Sequence, residues 1–243
     1  MDNYKIFIST SNNYHRCLLP CAFLFNKFWS NKQEVVFLGY DKPKFNLPPN
    51  FSFKSLGVQR GPKYYSEDLR NFFQSIDDQY FIYTMEDQFI LDYVDLNLIE
   101  NFISYIVNDP KIGRICLTNS IFQTVLNHPA HVGKKHEHYK DDLIKLTSDS
   151  NWKITCEWSL WNKNYFIKYL QGNLTPWEFE QQSFSLAKND GYNIVGKNKV
   201  AIRHAEAVRR GKVNENFDFR FVNENQELDN KIKKELNQYL KKT

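Results

Sequence analysis

The sequence predicts an α/β domain with a mostly parallel central sheet flanked by helices. Three observations lead there. Short apolar runs (YKIFIST, EVVFLGYD, YFIYTMEDQFI, IGRICLT) read as buried strands. They alternate with stretches of helical spacing, which is the pattern of βαβ units. The chain has 243 residues, 42% of them apolar and 25% charged, enough for one large core.

The elements follow in order. YKIFIST is a first strand that ends in a polar loop, STSNN. HRCLLPCAFLFNKFW is helical, with Pro20 in its first turns. EVVFLGYD is a second strand ending at Asp41, KPKFNLPPN is loop, and FSFKSLG is a short third strand. SEDLRNFFQSI is a helix with Ser66 as N-cap and acids in its first turn. YFIYTMEDQFI is the next strand, DLNLIENFISYIVNDP an amphipathic helix, and IGRICLT another strand. From about residue 120 to 150 the periodicity weakens, and this reads as a long polar excursion or loop. WKITCEWSLWNKNYFIKYL resumes with a strand and a helix. In LTPWEFE, Thr175 is the N-cap and Pro176 the first helical residue. YNIVGKNKVAI is a terminal strand or hairpin. In the tail, Leu228, Ile232, Leu236 and Leu240 form one apolar helical stripe.

Composition excludes several classes. A net charge of +4, spread along the chain outside the tail, is not the dense basic stripe of a nucleic-acid binder. The cysteines, Cys17, Cys21, Cys116 and Cys156, form no C-x-x-C pair and are too few for a disulfide scaffold. Their apolar contexts also argue against a thiolate nucleophile. The start carries no signal-peptide pattern, and no apolar run reaches the ~18 residues of a membrane span. A cytoplasmic location is expected.

In parallel sheets, ligands bind outside the carboxyl ends of the strands. Ser9, Thr10, Asp41, Glu86 and Asp87 all fall there. The chain has only nine glycines and no glycine-rich phosphate loop. A diphosphate would instead be neutralised by a divalent cation on Glu86 and Asp87, with water and phosphate oxygens completing its shell. Acids at a strand end also serve plain solubility. In TPWEFE, Thr175 and Glu178 have capping-box spacing, so Glu178 has a local task. Glu180 has none and projects from another face, where it would be a general base or hold a sugar hydroxyl. Trp177 is a stacking platform or a core residue. His204 completes a metal site or touches a phosphate, or it belongs to a solvated basic helix with Arg203, Arg209, Arg210 and Lys212. His128, His131, His136 and His138 form a polar loop or, less simply, a zinc site without H-E-x-x-H spacing. No G-x-S-x-G elbow supports a Ser-His-Asp hydrolase.

Three stretches carry a resemblance. YYSEDLRNFFQSIDDQYFIYTMEDQFI resembles the segment of GT-A-type glycosyltransferases that leads into their D-x-D-like metal motif. It is most similar to a small bacterial and viral group whose strand reads L-x-L-x-E-D-x-F. EWSLWNKNYFIKYLQGNLTPWEFE is similar to that group's acceptor-side segment with P-W-x-F-E, and HAEAVRRGK to its C-terminal glycine-lysine element. The order of the three agrees. The chain departs from a strict D-x-D motif, having Glu86-Asp87-Gln88.

The resemblance implies a GT-A-like (Rossmann-like) fold, with a nucleotide-sugar-binding half over 1–119, an acceptor-binding half over 120–215 and a tail over 216–243. It implies transfer of a sugar from a nucleotide-diphosphate sugar to a glycan, lipid-linked or other hydroxyl acceptor. Ser9, Thr10 and Asp41 would line base and ribose, and Arg70 would reach the donor, with Glu86 and Trp177 among the donor contacts. Asp87, with Glu86 and His204, would hold Mn2+ or Mg2+ on the diphosphate. Glu180, the last residue of P-W-x-F-E, is the preferred base and Glu178 the second. A single base points to inversion at the anomeric carbon. The tail helix would pack on the domain, on a twin subunit or on a membrane surface. Two competing readings are a nucleotidyltransferase and a non-catalytic carbohydrate-binding module with a degenerate site.

Overall fold

A computed structural model describes residues 4–119, 136–148, 150, 152–182, 186–209 and 212–213. The tail over 216–243, with its apolar stripe, and His128, His131 and Arg210 lie outside the described residues. The elements run β1 (Lys5–Ser9), α1 (Leu18–Phe28), β2 (Val35–Gly39), β3 (Phe51–Ser55), α2 (Tyr65–Gln74), β4 (Tyr80–Met85), β5 (Gln88–Ile90), α3 (Leu96–Asn108) and β6 (Ile112–Cys116). They continue with β7 (His136–Lys140), β8 (Leu143–Leu146), β9 (Ser159–Asn162), α4 (Lys163–Tyr169), α5 (Pro176–Gln181), β10 (Asn193–Gly196), β11 (His204–Glu206), β12 (Val208–Arg209) and β13 (Lys212–Val213).

The central sheet has nine strands in the order β3-β2-β1-β4-β9-β6-β10-β8-β7. β1, β2, β3 and β4 are parallel neighbours. β9 is antiparallel to both β4 and β6, so it reverses one step between strands that share a direction. β10 is parallel to β6, and β8 again runs against β10. Only β9 and β8 therefore oppose the rest, which makes the sheet mostly parallel.

Residues on one strand alternate between two cores, as the period of two requires. Ile6 and Ile8 of β1 face the cluster made with α1 and α3, including Leu24, Phe25, Ile99 and Phe102. Phe7 between them faces the other cluster, made with α2, α4 and α5. There Phe73 stacks on Phe81 with ring centroids 4.3 Å apart, and Phe7 and Phe166 meet it edge-on. Gly113 of β6 admits this packing, since a Cβ there would lie 2.6 Å from the Tyr165 ring.

The helix signals hold where they are local. Asp95 caps α3 by accepting from Leu98 N at 3.0 Å. Pro20 sits in the first turn of α1, where its missing N–H costs nothing. Cys17 and Cys21 pack in the core one turn apart. Four expectations need correction. Ser66 is not the N-cap of α2 but its second residue: the helix starts at Tyr65, after a 3-10 turn over Pro62–Tyr64. The Ser66 hydroxyl instead donates to Gly172 O and accepts from Leu174 N, tying α2 to the turn before α5. The polar excursion contains the hairpin β7–β8, because Leu143 and Leu146 give it an apolar side to bury. β10 is not the last strand of the chain, since β11, β12 and β13 follow it, and it lies inside the sheet between β6 and β8. The HAE segment is a strand, not a helix, because it pairs with β5.

Candidate active site

The site forms where β1 and β4 run out. Glu86 N donates to Ser9 O at 3.1 Å, which holds the first acid against the end of the neighbouring strand. β5 then pairs antiparallel with β11, bringing Glu206 opposite Gln88 and His204 opposite Ile90. Ala207 N closes the ladder on Asp87 O at 2.7 Å. Across from it lies the segment 155–158. Thr84 Oγ1 donates to Cys156 O at 3.3 Å and Trp158 Nε1 to Gln88 O at 2.8 Å, so this segment is fixed on both sides of Glu86-Asp87. Glu180 reaches the same segment from α5, where its Oε1 accepts from Cys156 N at 2.6 Å.

These contacts gather acids from four separate parts of the chain. Glu86 is buried, and its Oε2 has no hydrogen-bond partner among the described residues. Burial, then the neighbouring Asp87, pushes its pKa well up. Burial and then Glu206 push Asp87 up to about 7. Burial also lifts Glu180 to about 7, with Glu157 adding to the rise, while the Cys156 amide and Arg114 oppose it. His204 is pulled down by burial, against the attraction of Glu157. Burial pushes the Cys156 thiol well up, with Glu180 and, less strongly, Asp87 adding to the rise.

The other expected residues are placed as follows. Ser9 is buried, its hydroxyl 2.6 Å from Tyr83 Oη, which is 2.7 Å from Tyr65 Oη. Thr10 donates to Ser11 O, and its amide is bound to Leu38 O. Asp41 is exposed at the end of β2, paired with Asn12 through both side chain and backbone. Asn12 N in turn donates to Gln59 Oε1, so the ends of β1, β2 and β3 share one polar rim. Arg70 donates to Gln171 rather than to the acidic group. Glu178 completes the capping box with Thr175 and meets Lys63 at 3.2 Å, which lowers its pKa. Trp177 is 63% exposed, which corrects the core reading. His136 and His138 lie on exposed β7.

Glu157 and Glu206 were not singled out from sequence. A lone acid carries no spacing signal, but Glu206 lies two residues from His204, and on a strand that places both on one side. Among the described residues no three or more His, Cys, Asp and Glu side chains are grouped to hold a metal ion by themselves. The hard oxygens of Glu86 and Asp87 nevertheless suit Mn2+ or Mg2+, which need only one or two carboxylates when phosphate and water supply the rest. The unpartnered Glu86 Oε2 is consistent with such an ion.

No family model matches the chain, and no curated protein matches it. Among solved structures it is similar to a mannosyltransferase from Pyrobaculum calidifontis in complex with GDP-Man and Mn2+, with TM-score 0.51 and 13% identity. That likeness covers 86% of this chain and 58% of the other, so the chain spans less than two thirds of its neighbour. TarS from S. aureus matches at TM-score 0.47 and 10% identity, over 82% of this chain and 36% of that one. The first likeness shows that the chain shares the mixed α/β fold of that mannosyltransferase. Among the described residues no helix is long and apolar enough to cross a membrane.

Proposed function

We propose that the chain is a glycosyltransferase that moves a sugar from a nucleotide-diphosphate sugar to a hydroxyl acceptor, with Glu180 as general base. One observation carries the reading: Cys156 donates its amide to Glu180 Oε1 at 2.6 Å and accepts from Thr84 at its carbonyl, so Glu180 and the strand end that bears Glu86 and Asp87 meet on one residue, where burial lifts Asp87 and Glu180 to about 7. A carboxylate poised near the working pH is what proton abstraction from an alcohol asks for. The fold shared with that mannosyltransferase supports the same reading.

The donor would lie across the ends of β1, β2 and β4. Asp41 and Thr10, with Asn12 and Gln59 beside them, would meet base and ribose; Ser9 supports this rim from beneath through Tyr83. Asp87 and Glu86, with His204 on the adjoining strand, would hold Mn2+ or Mg2+ against the diphosphate. When bound, that cation would stabilise charge gathering on the leaving diphosphate. Arg70 and exposed Trp177 would contact donor or acceptor from the α2 and α5 side. Glu180, fixed by the Cys156 amide, would take the acceptor's proton as its oxygen attacks the anomeric carbon, which inverts that centre. Glu178 is committed to its cap and to Lys63, so the base role falls to Glu180.

The test is a thermal-shift screen of UDP-, GDP- and dTDP-sugars with and without Mn2+, followed by Glu180→Gln. A nucleotide sugar should raise the melting temperature of wild type and variant alike. The variant should lose transfer by about 10²–10⁴. Failure of every nucleotide sugar to bind, or full turnover by Glu180→Gln, rejects the reading.

A further inference from the structure

Arg114 stands in the middle of β6, only 1% exposed, in a strand otherwise made of Ile112, Gly113, Ile115 and Cys116. A buried guanidinium is costly unless each donor is engaged. Here Nε donates to Ser159 Oγ at 3.0 Å, Nη1 to Lys153 O at 2.9 Å and Nη2 to Cys116 Sγ at 3.2 Å. The group also sits 5.4 Å from the centroid of the Trp161 ring. Ser159 and Lys153 are the two ends of the segment that carries Cys156 and Glu157. Among the described residues no carboxylate forms an ion pair with Arg114, so its charge acts at longer range.

Resting on the reading of Glu180 as base, we propose that Arg114 is its positioning residue: the guanidinium fork pins both ends of segment 153–159, and its positive charge favours the ionised form of the Glu180 carboxylate. Among the described residues, the groups that act on Glu180 include Glu157 and the Cys156 amide and thiol from the segment and Arg114 from β6. Glu157 disfavours the charged form, and Arg114 offsets it. Glu178, on the same helix, is turned to Thr175 N and Lys63. The fork cannot be replaced by a lysine ammonium, which is a single point charge without the rigid planar geometry. Arg114→Lys therefore separates charge from pinning, and Arg114→Met removes both.

The measurement is a 13C-carboxyl titration of protein labelled at glutamate, with Glu180 assigned by difference from Glu180→Gln. In Arg114→Met the Glu180 midpoint should rise by on the order of one pH unit. In Arg114→Lys it should stay near wild type. With the nucleotide sugar that wild type turns over, from the UDP-, GDP- and dTDP-sugar panel, both variants should show kcat lower by about tenfold or more with donor KM unchanged. Should Arg114→Met fail to fold, Arg114→Lys and Ser159→Ala, which keep a positive charge and disturb only the pinning, carry the kcat test. An unmoved midpoint in folded Arg114→Met, or wild-type kcat in the pinning variants, overturns the proposal. Full turnover by Glu180→Gln would instead reject Glu180 as the base, while the titration would still report whether Arg114 governs it.

Discussion

The Cys156 amide donates to Glu180 Oε1 at 2.6 Å, the contact that brings α5 to the end of β4. Cys156 O is meanwhile held by Thr84, the last buried residue before Met85 and Glu86. One residue thus links Glu180, the proposed base, to the strand end that bears Glu86 and Asp87, the proposed cation ligands. Such a link fixes the distance between two chemical tasks without either carboxylate touching the other, which would cost still more in repulsion.

The price of this grouping is stability at neutral pH. Asp87 rises from 3.8 to about 7, Glu180 from 4.5 to about 7, and Glu86 is also raised. Between about pH 4 and 7 the folded state therefore binds more protons than the unfolded chain, and stability must fall as pH climbs through that window. His204 and His15 pull the other way, since their lowered pKa values favour folding as pH rises towards 6.5. These two act over only part of the range through which Asp87, Glu180 and Glu86 are raised, so the melting temperature of the ligand-free protein should drop between pH 5 and 8. Asp87→Asn should be the more stable of the pair at pH 8, by about 1–2 kcal/mol after allowing for its partial exposure. Mn2+ should raise the melting temperature of wild type at pH 8 and leave Asp87→Asn unmoved. A wild-type curve that climbs from pH 5 to 8 would contradict the assignment of these shifts.

Thr175 and Glu178 form the full capping box that their spacing predicts. Thr175→Ala removes the acceptor of Glu178 N and should cost about 1 kcal/mol. Glu178→Gln keeps an acceptor for Thr175 N and gives up only an exposed ion pair with Lys63, so it should unfold close to the wild-type temperature. It should also transfer sugar at the wild-type rate, against the loss in Glu180→Gln. A parallel loss of transfer in Glu178→Gln would move the base to the exposed side of α5.

What was legible in the sequence is what is local. β1, β2, β4 and β6 show as apolar runs because both of their faces are covered, and the α5 cap shows because its two partners are three residues apart. The insertion of β9 between β4 and β6 leaves no such mark: Tyr80 pairs with Asn162 across half the domain, and nothing within SLWN dictates that register. β11 is three residues long and owes its state to β5, so its own composition misleads. For the same reason Glu206 and Glu157 stayed hidden while Glu86-Asp87, at the end of a long apolar run, did not. Arg114 escaped notice because a single arginine in an apolar strand looks like an interruption until its three acceptors are in place.

Two buried tyrosines make opposite cases of one chemical change. Tyr83 Oη lies between Ser9 Oγ and Tyr65 Oη, at 2.6 and 2.7 Å, in the buried core. Tyr83→Phe strips the middle of that chain. Tyr65 retains Cys156 Sγ at 3.3 Å, but Ser9 loses its side-chain contact. The expected cost is about 1–3 kcal/mol, the penalty of stranding buried polar groups. For a chain of this size that lowers the melting temperature by roughly 2–10 °C. Tyr165 Oη is equally buried and has no hydrogen-bond partner among the described residues, so its hydroxyl has already borne the desolvation cost without return. Tyr165→Phe removes that burden, keeps the ring stacked on Trp161, and should be neutral or stabilising. Thermal unfolding of the two variants side by side decides the matter. Equal destabilisation would mean that the Tyr165 hydroxyl is bonded in solution, and that the Ser9–Tyr83–Tyr65 chain contributes no more than any buried phenol.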